Sequence, residues 1–169
     1  MVWLMRIMSG YENNQTKAYQ VAEFLHQTYP DNPYFHRYYA RMQYARRMFT
    51  DLEKTCLDII ARINSKMPGY EATSGRYAGF FLGQYYESRQ DFEEAKKYYH
   101  MSIKYAEQIE ATETGYYLYS LIALGEISQR QGKKAEAKKY FNDVKKNSGR
   151  KDEAYQDAKK RLKELEKGD

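Results

Sequence analysis

The sequence predicts an all-α protein built from repeated pairs of antiparallel helices. Three observations support this: two segments of the chain resemble each other, apolar residues recur at helical spacing, and no segment alternates convincingly as a strand. The 169 residues, of which 42% are hydrophobic and 30% charged, suffice for one compact domain or one short solenoid. Only three prolines and ten glycines are present, which is typical of a folded chain.

The clearest repeat unit has Leu-Gly in one helix, followed by Ala and an aromatic residue in the next. Its two copies occupy residues 82–99 and 124–141, and equivalent positions lie 42 residues apart. In both copies Ala follows Gly after twelve residues, and Lys-Lys-Tyr follows Ala directly. A glycine inside a helix costs about 0.5–1 kcal/mol against alanine. We therefore expect Gly83 and Gly125 to be there because the partner helix approaches closely.

Two weaker copies precede these. In the nearer copy Thr55 takes the place of Ala95, 40 residues downstream, and Gln43 stands where the small residue belongs. In the farther copy Ala18 takes that place, 37 residues before Thr55. The small side chains Ala95 and Ala137 of the better copies are expected on the helix that faces the glycines.

Prolines and glycines indicate where helices begin and end. Pro33 is expected in the first turn of a helix, and Met-Pro-Gly at residues 67–69 and Gly149 are expected to end others. Residues 151–167 are apolar on one side only, as a helix covering the open end of a solenoid requires. The predicted helices span residues 2–12, 15–28, 33–48, 51–66, 70–88, 91–109, 113–131, 133–147 and 151–167. The predicted single domain, 1–169, consists of a degenerate repeat 1–32, repeats 33–69, 70–112 and 113–149, and a capping helix 150–169.

These residues resemble the tetratricopeptide repeat (TPR) family, which has Leu-Gly and Tyr in the first helix of a pair and Ala and an aromatic residue in the second. One repeat matches at five positions, Leu82, Gly83, Tyr86, Ala95 and Tyr99. The next matches at four, Leu124, Gly125, Ala137 and Phe141, with Ser128 where Tyr is usual. The resemblance covers residues 33–147 well and 1–32 loosely. It implies a right-handed α-α superhelix of three to four helix pairs plus a C-terminal capping helix; Sel1-like and half-a-TPR repeats are alternatives.

TPR proteins bind peptides or partner domains in a concave groove lined by the first helices. The resemblance thus implies a partner-binding groove, and aromatic residues with a few charges are typical of a binding hot spot. The predicted groove residues are Arg37, Tyr44, Arg47, Tyr77, Phe80, Gln84, Glu87, Tyr119, Ile122, Glu126 and Gln129. Packing between neighbouring repeats is the alternative for Phe80 and Ile122. The Lys, Asn and Arg side chains with which one TPR subclass grips C-terminal carboxylates are absent from the corresponding positions.

Tyrosine is the anomaly of the composition, with 19 of 169 residues. A buried Tyr needs a partner for its hydroxyl, whereas an exposed Tyr offers flat area with a polar tip. The net charge is +5, and the most basic stretches, residues 130–139 and 145–163, are expected to be solvated helix faces. RNA or single-stranded DNA is the disfavoured ligand, kept as an alternative because aromatics beside Lys and Arg can stack bases and contact phosphates.

No catalytic or metal-binding pattern is visible in the sequence. His26, His36 and His100 are widely spaced and form no recognisable zinc pattern with Cys56, which is expected to be a small core residue. No Gly-rich phosphate loop is present. The sequence therefore predicts that the chain is not an enzyme, that it uses neither metal nor cofactor, and that its partner is a protein or peptide.

The cellular context stays open at this level. No apolar run approaches the roughly 20 residues of a membrane span, and the apolar residues 1–5 are too short for a signal-peptide core. This abrupt apolar start makes a helical domain of a larger envelope or enzyme assembly a further alternative. The cytoplasm and the periplasm both suit the chain, and self-association through an exposed groove or an open N-terminal end is another expectation.

Overall fold

The computed structural model describes residues 14–113 and 115–167, which contain eight α-helices and no strand. The all-α prediction is thus confirmed. The helices are α1 (Gln15–Thr28), α2 (Pro33–Ala45), α3 (Phe49–Asn64), α4 (Ala72–Ser88), α5 (Phe92–Gln108), α6 (Gly115–Arg130), α7 (Lys134–Asn147) and α8 (Glu153–Lys167). The predicted helix 2–12 lies outside the described residues.

Five successive helices, α2 to α6, end in the same kind of turn. In each, one residue adopts a left-handed φ between 54° and 74°. The amide of the next residue then donates to a carbonyl five residues earlier, as Met48 N–H does to Gln43 O over 2.9 Å. This is the Schellman arrangement, which satisfies the last carbonyls of a helix. The left-handed residues are Arg47, Lys66, Gln90, Glu110 and Gly132.

These turns explain the largest error in the predicted helix bounds. The helix predicted over residues 33–48 ends at Ala45, because Arg47 takes the left-handed conformation with a φ of 57°. Arg47 therefore lies in the turn between α2 and α3 and not on a helix. The start of α2 agrees with the prediction: Pro33 is its first residue, and the Asn32 side chain accepts hydrogen bonds from the next two backbone N–H groups.

The chain divides into two compact units, Met1–Ser74 and Gly75–Asp169, and the division falls in the first turn of α4. In the first unit α2 packs against both α1 and α3. The helix α3 buries one face at spacings of three and four residues, the pattern of an amphipathic helix. The core residues between α1 and α2 are Ala18, Ala22, Leu25, Phe35, Tyr38 and Met42. Those of α3 are Leu52, Thr55, Cys56 and Ile59.

In the second unit each helix from α5 onward packs against the next one, and α8 also contacts α6. The helix α8 turns Ala154, Ala158 and Leu165 into the core, and its remaining positions are largely solvated. The one-sided apolar pattern predicted for residues 151–167 is therefore confirmed. The buried core shared by α5 to α8 consists of Ala106, Tyr117, Leu118, Leu121, Ile122, Ala137, Phe141, Val144, Ala154, Ala158 and Leu165.

Glycine allows the helices of the second unit to approach closely, as the sequence predicted. A Cβ atom at Gly83 would lie 2.5 Å from the Tyr99 ring, and one at Gly125 would lie 2.5 Å from the Phe141 ring. Gly79 tolerates a side chain least, because a Cβ there would lie 2.8 Å from a backbone atom, the Ser102 nitrogen. Rings can swing aside, but the backbone of a packed helix cannot, so Gly79 sets the distance between α4 and α5.

The weaker repeat buries a glutamine, Gln43, where the better copies have glycine. Its side chain is 1% exposed, and its Oε1 atom has no hydrogen-bond partner among the described residues. An unsatisfied buried amide oxygen costs about 1–3 kcal/mol, so the cost of this position is in hydrogen bonding.

We predict that Gly79→Ala destabilises the chain by about 1–3 kcal/mol, since the added methyl group overpacks the contact between α4 and α5. Helix propensity alone would favour alanine by about 1 kcal/mol, so the sign of the change separates the two effects. Urea denaturation followed by circular dichroism measures it. The control is Gly115→Ala, where the new Cβ would meet only the Tyr119 ring at an ordinary 3.5 Å. Equal stability of the two variants would contradict the prediction.

Candidate partner-binding surfaces

The first unit contains three of the predicted groove residues, and two of them are engaged within the unit. The Arg37 guanidinium donates to Ser74 Oγ over 2.8 Å. The Tyr44 ring meets the Phe49 ring edge-on, with centroids 6.4 Å apart. Arg47 is exposed, but it lies in the turn after α2. The three residues are therefore not presented along one helix, as the prediction had assumed.

The second unit contains the other eight, four on α4 and four on α6. Phe80 and Ile122 are 9% and 6% exposed, so they are core residues, as the packing alternative had it. Tyr119 is 44% exposed and Gln129 is also exposed. The remaining four are half-buried. We call the six accessible residues the α4–α6 surface: Tyr77, Gln84, Glu87, Tyr119, Glu126 and Gln129.

Aromatic rings join α4 to α6 beneath this surface. The Tyr116 ring lies 4.8 Å from the Tyr77 ring and 5.2 Å from the Phe80 ring, centroid to centroid. The Arg76 guanidinium lies 5.8 Å from the centroid of the Tyr116 ring. Such ring pairs contribute about 0.5–1.5 kcal/mol each beyond their buried area. Sequence reasoning missed Tyr116, although it belongs to the tyrosine-rich run at 116–119 that also supplied Tyr119.

Two carboxylates of the surface are held by neighbouring side chains. Glu87 accepts a hydrogen bond from the Tyr99 hydroxyl over 2.7 Å and lies 3.6 Å from the Arg130 guanidinium. Glu126 pairs with Arg161 of α8, which also donates to Asp157 over 2.8 Å. Arg161 is a further residue that sequence reasoning missed. The sequence predicts that its helix is a polar cap, and it does not indicate that Arg161 pairs with Glu126 of α6.

Burial raises the pKa of the Glu126 carboxyl, Arg161 acts in the opposite direction, and the nearby charge of Glu87 adds to the rise. The negative charges of Glu87 on α4 and Glu126 on α6 therefore repel each other. The surface combines flat aromatic area, amide groups and carboxylates that are already oriented. This combination suits recognition of a polypeptide, because it offers apolar contact and hydrogen bonds side by side.

Gln84 adds an unsatisfied acceptor to the surface. Its Oε1 atom is buried and has no hydrogen-bond partner among the described residues. An unsatisfied buried amide oxygen costs about 1–3 kcal/mol. Because this atom has no exposed surface, a ligand N–H group would reach it only after the Gln84 side chain rotates outward.

Charge is unevenly distributed along the chain. Residues 130–167 contain fourteen Lys and Arg against seven Asp and Glu. Most of these cations are exposed, including Lys159, Lys163 and Lys167 along one side of α8. None of the large hydrophobic side chains that are exposed in the described residues belongs to this region. It therefore offers positive charge without a largely exposed ring, since its tyrosines Tyr140 and Tyr155 are half-buried.

Cys56 is fully buried and burial raises the pKa of its thiol, which confirms its predicted place in the core. In the described part of the chain, no three His, Cys, Asp or Glu side chains are grouped to hold a metal ion. No helix in that part is both long and apolar enough to cross a membrane.

Comparison with known proteins adds no relative to these observations. No family model matches the chain, and no curated protein matches it.

We predict that Arg161→Leu lowers the free energy of unfolding by about 1–2 kcal/mol, because it leaves the half-buried Glu126 carboxylate without its cation. Lys160→Leu is the matched control. Lys160 lies 3.9 Å from Glu164 and both side chains are largely exposed, so we expect almost no change. Chemical denaturation of the three proteins makes the comparison. A loss of equal size in both variants would show that Arg161 acts through helix packing alone.

Proposed function

We propose that the chain is a TPR-type helical repeat protein that binds a peptide or partner domain on the α4–α6 surface, and that it serves as an interaction module and not as an enzyme. The right-handed superhelix implied by the resemblance is part of this proposal. The observation that supports it best is Tyr119, a large aromatic side chain left 44% exposed on a helix whose other rings are packed.

Tyrosine combines low flexibility with two kinds of contact. Its ring has two rotatable bonds, so fixing it in a complex costs little entropy, and its area and hydroxyl provide both apolar contact and a hydrogen bond. Tyr119 lies on the same helix as the half-buried Glu126 and the exposed Gln129. A solvent-facing aromatic ring on a helix that also presents polar side chains is typical of binding hot spots.

The amide of Gln84 gives this surface directionality. A partner in extended or turn conformation has backbone N–H groups that lack partners, and the Gln84 side chain would rotate outward so that Oε1, unsatisfied in the free chain, accepts from one of them. Glu87 and Glu126 are held by Arg130 and Arg161, so they enter a complex in fixed orientations at little further entropic cost. Together these features favour a polypeptide over a compact apolar ligand.

The test begins with peptides selected from a displayed random library against the whole chain, and Kd is then measured by fluorescence polarisation. We expect Tyr119→Ala to weaken binding about 30-fold or more, since hot-spot truncations cost about 2 kcal/mol or more. Gln84→Leu should also weaken it, because the acceptor is lost. The control is Ile109→Ala, another exposed side chain of the second unit at 38%. Unchanged affinity of a folded Tyr119→Ala protein would refute the assignment.

A second candidate, RNA or single-stranded DNA binding, is favoured by the basic residues 130–167. Such binding weakens linearly in a plot of log affinity against log salt, with a slope set by the number of phosphates contacted. The variant Lys159→Gln/Lys163→Gln/Lys167→Gln removes three exposed cations from α8, and Lys17→Gln/Lys54→Gln/Lys104→Gln removes three exposed cations elsewhere.

Under the leading proposal we expect no retardation of a single-stranded RNA in a gel shift at low salt. Retardation that weakens with salt, and that the α8 variant abolishes while the control variant retains it, would establish the second candidate in place of the first. The absence of exposed aromatic residues from α7 and α8, both of which lie in the described part of the chain, is the reason for our expectation.

A further inference from the structure

Two histidines that are ten residues apart in sequence lie face to face in the first unit. The His26 ring of α1 stacks on the His36 ring of α2, with centroids 4.5 Å apart and planes inclined by 28°. It also stacks on the Tyr39 ring, with centroids 4.9 Å apart and planes inclined by 16°. His36 is 1% exposed. The contact between α1 and α2 therefore includes a stack of three rings, two of which can gain a proton.

The groups around this pair offer little compensation for added charge. His36 Nδ1 lies 3.0 Å from the Tyr70 hydroxyl, and His36 Nε2 lies 3.6 Å from Asp58 Oδ2. That same Asp58 oxygen accepts a hydrogen bond from Arg62 Nε over 2.7 Å. His26 Nδ1 is buried and has no hydrogen-bond partner among the described residues.

We propose that His26 and His36 form an acid-sensitive latch between α1 and α2: the neutral rings hold the helices together, and proton uptake by the pair releases α1. The proposal goes beyond the proposed function, which concerns the second unit.

The electrostatic setting gives the direction of the response. The pKa of His36 is lowered to about 4, mainly by burial and next by His26, with a smaller contribution from Arg62, while Asp58 acts in the opposite direction. Burial also lowers the pKa of His26, together with Arg62 and against Asp58. The other charged groups near the two histidines are already paired with each other. Arg62 is shared between Asp58 and Asp31, and burial raises the pKa of the Tyr70 hydroxyl, which therefore stays uncharged.

Proton linkage determines whether the closed form gains or loses stability as the pH falls. Both histidines have a folded-state pKa below the ordinary 6.5, so the closed form binds fewer protons than an open form in which the rings are solvated. The stability of the closed form is therefore complete above pH 6.5 and falls as the pH drops from 6.5 toward 4. One carboxylate, already held by Arg62, cannot neutralise two stacked imidazolium rings.

Release of α1 would uncover an apolar surface. The face of α1 that contains Ala18, Ala22 and Leu25 packs on Phe35 and Met42 of α2, and all five side chains are buried. The connection between α1 and α2 is the short segment 29–32, which provides a hinge. Acid would thus expose the apolar faces of α1 and α2 that the closed helix pair buries.

The protein's three histidines make the test direct. Imidazole Cε1–Hε1 signals, assigned by single substitutions, are followed by NMR from pH 8 to pH 4 in the full chain. Hydrogen exchange is measured over the same range, with labelling times scaled for the intrinsic pH dependence of amide exchange. We expect residues 15–28 to lose protection as the pH falls below about 6, while residues 134–147 of α7 keep theirs.

His26→Phe preserves a flat ring and removes one titrating group, and His100→Phe is the matched control at an exposed histidine of the second unit. We expect His26→Phe to lower the pH of opening and to reduce the open population about tenfold at pH 5, whereas His100→Phe leaves both unchanged. His26→Gln repeats the test without the ring, in case the introduced phenyl ring stacks poorly. Protection of residues 15–28 that persists to pH 4, loss of protection in both units at one pH, or an unchanged opening pH in both His26 variants would each overturn the proposal.

Discussion

The second unit depends on helices that approach closely at glycine. At Gly79 the space for a side chain is taken by the backbone of α5, and at Gly83 and Gly125 it is taken by an aromatic ring. The Gly83 contact does more than fill space. It seats the Tyr99 ring so that its hydroxyl reaches Glu87, which in turn lies beside Arg130. The close packing at Gly83 therefore fixes the orientation of the Glu87 carboxylate on the α4–α6 surface. In this way the packed core holds a residue of the candidate binding site in place.

The fold was largely accessible from the sequence because its signals are local. Spacings of three, four and twelve residues fall within one helix pair, so the Leu-Gly, Ala and aromatic positions predicted both the helices and the close contacts at Gly83 and Gly125. The turns were less accessible. Four of the five left-handed turn residues are not glycine, namely Arg47, Lys66, Gln90 and Glu110. A charged or amide side chain gives no sign that its backbone will adopt this conformation, so the end of α2 was placed three residues too late.

The site was less accessible, because its features depend on which side chains meet across helices. The sequence analysis assigned Phe80 and Ile122 to the groove, with packing between repeats as the alternative, and both side chains are buried in the structure. It gave no reason to connect Arg161 with Glu126, or His26 with His36, since each pair joins helices whose relative rotation is set by packing. Periodicity identifies the face of a helix that is buried. It does not identify the neighbour that each residue of that face will touch.

The burial of Cys56 has a practical consequence. It is the only cysteine of the chain, its side chain has no exposed surface, and burial raises the pKa of its thiol. Only the thiolate reacts readily with maleimides and oxidants, so in the folded protein this group is shielded both sterically and chemically. A single cysteine introduced on the surface would accordingly accept a fluorophore or a spin label without prior removal of the native thiol. Reaction of the Cys56 thiol would in turn report the local unfolding of α3, the helix that contains it.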